Sequence, residues 1–238
     1  MKSSNANAVL QKTLRAFSII EIAVVLAVIG ILLSSVIIGK NLVDKAKIAN
    51  AQALTTNSVV HSLDKNLVFW HETSFGQEVY NNNTWFDYQQ DKTKKNNATT
   101  TSLTAPQLLE DSGNLINNIP ALNFTSSQFL TQPALLNLNN SYFAIFAVHS
   151  NANNTNDGKV FSNQPAPTQT IVDGNKRLLI WQCCSSSFIT TFTATSKIGN
   201  SYTGDIYEII AFNTQLTDTQ FNEVVAYLKA KYRFKITG

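Results

Sequence analysis

The chain predicts a long apolar helix, then an antiparallel β-sandwich, then a short closing helix. Three features of the sequence carry this. An uncharged apolar run extends from Ile22 to Gly39. Short apolar or aromatic runs separated by turn residues fill the stretch from Lys65 to Phe212. Helical periodicity returns from Thr217 onward.

The first run is long enough at the helical rise to cross a hydrocarbon core, and a transmembrane segment is expected at about residues 17–39. Beyond Gly39 the apolar stripe narrows to Leu42, Val43, Ala46, Ala49 and Ala53, interleaved with Lys40, Asp44, Lys45, Lys47 and Gln52. That amphipathic pattern continues the same helix to about Leu63, with one flank suited to a globular domain or to neighbouring helices. Residues 1–16 are polar and basic, read as a leader and set apart from the fold.

Glu21 stands about one turn inside the amino-terminal edge of this helix. An ionisable group at that depth costs about 2.5–3.5 kcal/mol at a helix centre and is by default functional, so it needs a partner. A cut between Ala16 and Phe17 would create an α-amino group four residues before Glu21, on the same helical face.

The pattern Ala16-Phe17-Ser18-Ile19-Ile20-Glu21, opening a long apolar helix, resembles the class III signal of type IV prepilins and pseudopilins. The resemblance implies a prepilin peptidase that cuts at Ala16-Phe17 and methylates the amine of Phe17. It also implies that Glu21 pairs with the amine of a neighbouring subunit in a filament. Ala16 departs from the family's usual Gly but is small enough for the same pocket. The rival readings are a plain signal anchor and a cleaved secretory signal; against the latter, the apolar run exceeds the usual length and no A-x-A site follows it.

Lys40, Lys45 and Lys47 after the helix balance Lys2, Lys12 and Arg15 before it, so charge alone does not orient the segment. The resemblance does. It implies a single pass through a bacterial inner membrane with the leader cytoplasmic. The head would be periplasmic first and then part of a pilus or pseudopilus. Loss of the leader removes three of the eighteen basic residues and leaves fifteen against fifteen acids. A neutral mature chain has no general attraction for nucleic acid, and none is expected as a partner.

From Lys65 the strands are expected at Leu67–Trp70, Ala121–Phe124, Tyr142–Val148, Lys159–Phe161, Arg177–Trp181, Phe188–Phe192 and Ile206–Phe212. Asp157-Gly158 and Asp173-Gly174 are hairpin signals between them. Thr217 and Gln220 form a capping-box signature ahead of the stripe Phe221, Val224, Val225 and Leu228. Lys229, Lys231 and Arg233 suit the negative end of that helix.

A second resemblance spans much of Lys65 to Phe234. Trp85-Phe86-Asp87 with Asn96-Asn97-Ala98-Thr99, the run Ile116 to Phe124, and Gly204-Asp205-Ile206-Tyr207-Glu208 through Asn213 into Leu216-Thr217-Asp218 are similar to the laminin-G-like, concanavalin A-like domains of bacterial surface proteins. It implies a jelly-roll sandwich over 65–238. The segment Asn163 to Asn200 is short for the family's middle strands, which suggests a trimmed version.

Glycanases of that fold use paired carboxylates on one strand. The chain has no E-x-D-x-x-E run, and Glu110-Asp111 are adjacent and would diverge on a strand, so no catalytic residue is expected. Carbohydrate binding calls for aromatic platforms. Trp70 and Trp181 lie in apolar runs and read as core, whereas Trp85 is the better surface candidate, with Tyr80 beside it as a second. The loop Asn153 to Gly158 imitates part of a calcium loop with one carboxylate and reads as a hairpin turn; no metal or cofactor is expected. Cys183 and Cys184 could form a vicinal disulfide, pair between subunits or stay free. His61, His71 and His149 have no ligand spacing and read as surface or half-buried residues.

The functional expectation is a pilin-like filament subunit, minor rather than major, with a lectin-like head for adhesion or surface recognition of a glycan or protein. The alternatives are a type II secretion pseudopilin, a membrane-anchored glycan-active enzyme, and an anchored binding domain that never polymerises.

Overall fold

The computed structural model describes residues 18–81, 83–89, 96–110, 113, 115–138, 142–151, 159–162, 166–183 and 195–235. The chain divides into two compact units between Val43 and Asp44. Helix α1, Ile19–Thr56, runs through that boundary.

The helix was expected to reach Leu63 and instead ends at Thr56. Thr55, Thr56 and Asn57 each turn a side chain back onto the carbonyl four residues earlier, which competes with continuation of the ladder. Ser58 then adopts extended backbone and its hydroxyl accepts from Val60 N, starting a separate 3-10 segment, Val59–Asn66.

Twelve strands follow among the described residues: β1 Leu67–Glu72, β2 Tyr80–Asn81, β3 Thr84–Trp85, β4 Ala98–Thr99, β5 Gln107–Leu109, β6 Ala121–Phe124, β7 Leu130–Thr131, β8 Phe143–Ser150, β9 Gln169–Asp173, β10 Lys176–Cys183, β11 Lys197–Ile198 and β12 Gly204–Phe212. They form two antiparallel sheets. The larger has the order β5-β6-β12-β8-β10-β9, and β1 pairs with the second half of β12 where β6 pairs with the first. The smaller has the order β11-β7-β4-β3-β2.

The larger sheet is covered on both faces, which is why β8 is buried at every position. Ile145, Ala147, Leu179, Trp181 and Ile209 point into an apolar cluster shared with Tyr80, Trp85, Ala98 and Leu130 of the smaller sheet. Trp70, Phe146, Leu178, Ile180 and Ile210 point the other way, into a cluster with α2 and the end of α1. Register shifts interrupt β1 at Leu67/Phe69 and β12 at Ile206/Glu208. The second shift lets consecutive residues Tyr207 and Glu208 both serve the outer face.

Gly204 opens β12 with φ +144, and a Cβ there would lie 2.6 Å from Ser150 O, so the position requires glycine. The Asp173-Gly174 signal marks a true hairpin in which Gly174, at φ +64, takes the first central position between paired Asp173 and Lys176. Of the expected strand Lys159–Phe161 only one isolated bridge forms, Phe161 to Ile198. The expected strand at 188–192 and the turn at 157–158 lie outside the described residues.

Helix α2, Asp218–Tyr232, begins with the expected capping box of Thr217 and Gln220 and buries Val224, Val225 and Leu228. Lys229 and Lys231 lie in its last turn, as expected; Lys231 is fully buried there, and Arg233 is the left-handed C-cap at φ 50.

Candidate functional site

The amino-terminal half of α1 is apolar on every face. Every described residue from Ser18 to Val43 is exposed, Ile19 at 85% and Val36 at 70%. α1 is long and apolar enough to cross a membrane. At its start, Ser18 Oγ accepts from Ile20 N at 3.3 Å, and Ser18 N donates to Glu21 Oε2 at 2.8 Å. This reciprocal pair satisfies free amide groups at the helix end, where a carboxylate also complements the dipole. Sequence reasoning overlooked it, although Ser-x-x-Glu was there to be read. Ala16 and Phe17, the expected processing site, lie outside the described residues.

From Asp44 the helix tail is held by the head. Ala51 and Thr55 are buried, Gln52 Nε2 donates to Ser74 O at 2.9 Å, and Thr55 Oγ1 lies 3.3 Å from Tyr227 OH.

Beneath this contact is a buried ion cluster. Strand pairing sets Glu72 directly opposite Glu208, and both side chains are withdrawn from solvent together with Lys231. Lys231 Nζ donates to Glu208 Oε2 at 2.8 Å, Glu72 Oε2 at 3.1 Å and Tyr227 OH at 3.2 Å. Glu208 also accepts from Trp70 Nε1, Tyr227 OH and Tyr232 OH at 2.7–2.8 Å. Ser74 donates to Glu72 Oε2 through both its amide and its hydroxyl.

Burial pushes Glu72 up; Lys231 pulls it back and Glu208 pushes it further up. Burial alone would lower Lys231, but the Glu208 and Glu72 carboxylates together outweigh it and its net direction is up. Tyr227 and Tyr232 are held well above the usual phenol range, first by burial and then by the charge of Glu208. The cluster joins β1, β12, α2 and the end of α1. It is a close carboxylate pair, yet it lies under a helix with an ammonium between its oxygens rather than in a groove.

Trp85 is corrected from surface platform to core residue. It is fully buried between the sheets, its Nε1 donates to Glu72 O at 2.9 Å, and its ring stacks on His71 at 5.0 Å. Tyr80 is corrected likewise: it is 8% exposed and its hydroxyl donates to Pro106 O at 2.8 Å. Trp70 and Trp181 are core, as expected.

His71 and His149 are corrected too, since both are fully buried. His71 Nδ1 faces Phe86 O at 3.2 Å while its Nε2 meets the Gln132 amide, the arrangement of a neutral ring that donates from Nδ1 and accepts at Nε2. Burial lowers its pKa to about 4.

Asp87 ties the Trp85-Phe86-Asp87 and Asn96-Asn97 blocks to β1. Its carboxylate accepts from Trp70 N at 2.8 Å, Asn96 N at 2.8 Å and Gln89 Nε2 at 2.7 Å. Burial still raises it to about 6 against those amide donors.

Cys183 ends β10, while its side chain, all of Cys184, Asp111 and the loop 152–158 lie outside what is described. Among the described residues no three His, Cys, Asp or Glu side chains group as metal ligands.

Comparison of the chain with protein-family models, curated proteins and solved structures finds no match.

Proposed function

We propose that this protein is a pilin-like filament subunit, anchored first in a membrane through α1 and then packed through it against neighbouring copies. The observation that carries this reading is the apolar first half of α1, exposed on all sides and headed by Glu21. An apolar helix of that length needs lipid or other helices around it. An acid at its head is costly in either setting unless a cation meets it, and the amine of a processed Phe17 in the next subunit is the cation the sequence offers.

In this account Glu21 Oε2 caps its own helix while the subunit is single, and the carboxylate meets the neighbour's amine on assembly. The head is a β-sandwich of concanavalin A-like type, supported by two antiparallel sheets that share an apolar cluster. Its role is recognition of a surface glycan or protein rather than catalysis. The close carboxylates Glu72 and Glu208 are buried under α2 with Lys231 between them, where no substrate would reach.

The test is Glu21→Ala in cells that assemble the filament. Membrane insertion and leader removal should persist while recovery in sheared filaments falls to background. Wild-type recovery of the variant in filaments would refute the proposal.

A further inference from the structure

The expected platforms Trp85 and Tyr80 are buried and offer the head no recognition surface. A cavity of about 310 Å³ opens on the outer face of the larger sheet, where the β9–β10 edge meets the first turns of α2. That is the small end of the range for ligand sites.

The strand period builds its floor. Leu178 and Ile180 face the outer cluster, so Gln182, two residues on, faces the same way. Thr168 fixes the rim by donating to Ile180 O at 3.0 Å and accepting from Gln182 N at 3.1 Å. Gln169, Gln215, Asp218 and Phe221 complete the lining.

Two properties define what fits. Gln182 Oε1 is buried and has no hydrogen-bond partner, so an amide acceptor waits for a donor. Among the described residues the lining holds two further amides, one carboxylate and the half-buried Phe221 ring, with no lysine or arginine. An anion would find no counter-charge there, and one carboxylate is too few for a hard cation. Hydroxyl groups, which both donate and accept, match the amides and Asp218, and the C–H face of a pyranose ring suits Phe221.

We infer that this cavity is the head's ligand site and takes a neutral hexopyranose residue, with Gln182 Oε1 accepting from a ring hydroxyl and Phe221 supporting the apolar face. The inference rests on the recognition reading of the head.

The experiment uses the full chain in phospholipid nanodiscs, with saturation-transfer NMR of methyl α-D-mannopyranoside, methyl β-D-galactopyranoside and N-acetylglucosamine. At least one sugar should bind the wild type in the millimolar range. Gln182→Leu should weaken it about tenfold, and Gln215→Ala, at an exposed position, about threefold. Tryptophan fluorescence verifies that each variant is folded. Should Gln182→Leu unfold, Gln215→Ala alone decides. Sugar binding that both variants leave unchanged overturns this site and leaves the recognition reading standing. A wild type that binds none of the three overturns the sugar assignment and leaves recognition of a protein by the head standing.

Discussion

The two halves of α1 share one backbone and differ in what their side chains meet. Up to Val43 the large apolar residues are exposed, whereas Ala51 and Thr55, on the next turns, are buried against the head. The second half is a component of a folded domain, satisfied within the chain by Gln52, Thr55 and the Glu72–Lys231–Glu208 cluster behind them. The first half leaves its apolar side chains exposed and belongs to a helix long and apolar enough to cross a membrane. A continuous helix thus carries a docking contact in its tail and an exposed apolar surface in its front.

The buried charges of the head are its most sensitive point. Lys231→Met leaves two buried carboxylates facing each other without their cation, and should cost about 3–5 kcal/mol in denaturant unfolding. Tryptophan fluorescence reads this transition well, because Trp70, Trp85 and Trp181 are all buried in the head. The triple replacement Glu72→Gln, Glu208→Gln, Lys231→Met should recover much of that loss, since no buried charge remains.

Acid acts next. His71 has its folded pKa below the ordinary 6.5, at about 4, so its contribution is present above pH 6.5 and is lost as pH falls through that window, where the unfolded chain takes up the proton first. The stability deficit of His71→Gln against wild type should therefore shrink on acidification, by about 1.4 kcal/mol per pH unit between those limits.

Ala51→Leu overpacks the docked half of α1 and should cost the head about 1–3 kcal/mol, while Val36→Ala in the exposed half should leave head stability within about 0.5 kcal/mol of wild type. Equal effects of these two substitutions would erase the distinction between the halves. Thr217→Ala removes one side of the α2 capping box and should cost about 1 kcal/mol.

Much of this arrangement was legible. β8 and β12 read as strands because their apolar runs are long and rich in aromatic and branched residues, and α2 read as a helix because its cap and stripe agree. The smaller sheet was not legible: its strands are two residues long, too short to show alternation. Trp85 sits in a polar stretch and looked superficial, but pairing of Trp85 with Ala98 and the hold of Asp87 on Trp70 N draw that stretch over the core. Lys231 looked like a dipole partner because its acids lie on two distant strands, and only the register that sets Glu72 opposite Glu208 reveals the site. The amides of the outer cavity come from two strands and the approach to α2, so no local pattern announces them.

If the exposed half of α1 is a processed filament interface, as proposed, intact-mass analysis of the protein from sheared filaments or native membranes should yield a chain beginning at N-methyl-Phe17. A chain that still begins at Met1, in cells whose peptidase processes other prepilins, would contradict it.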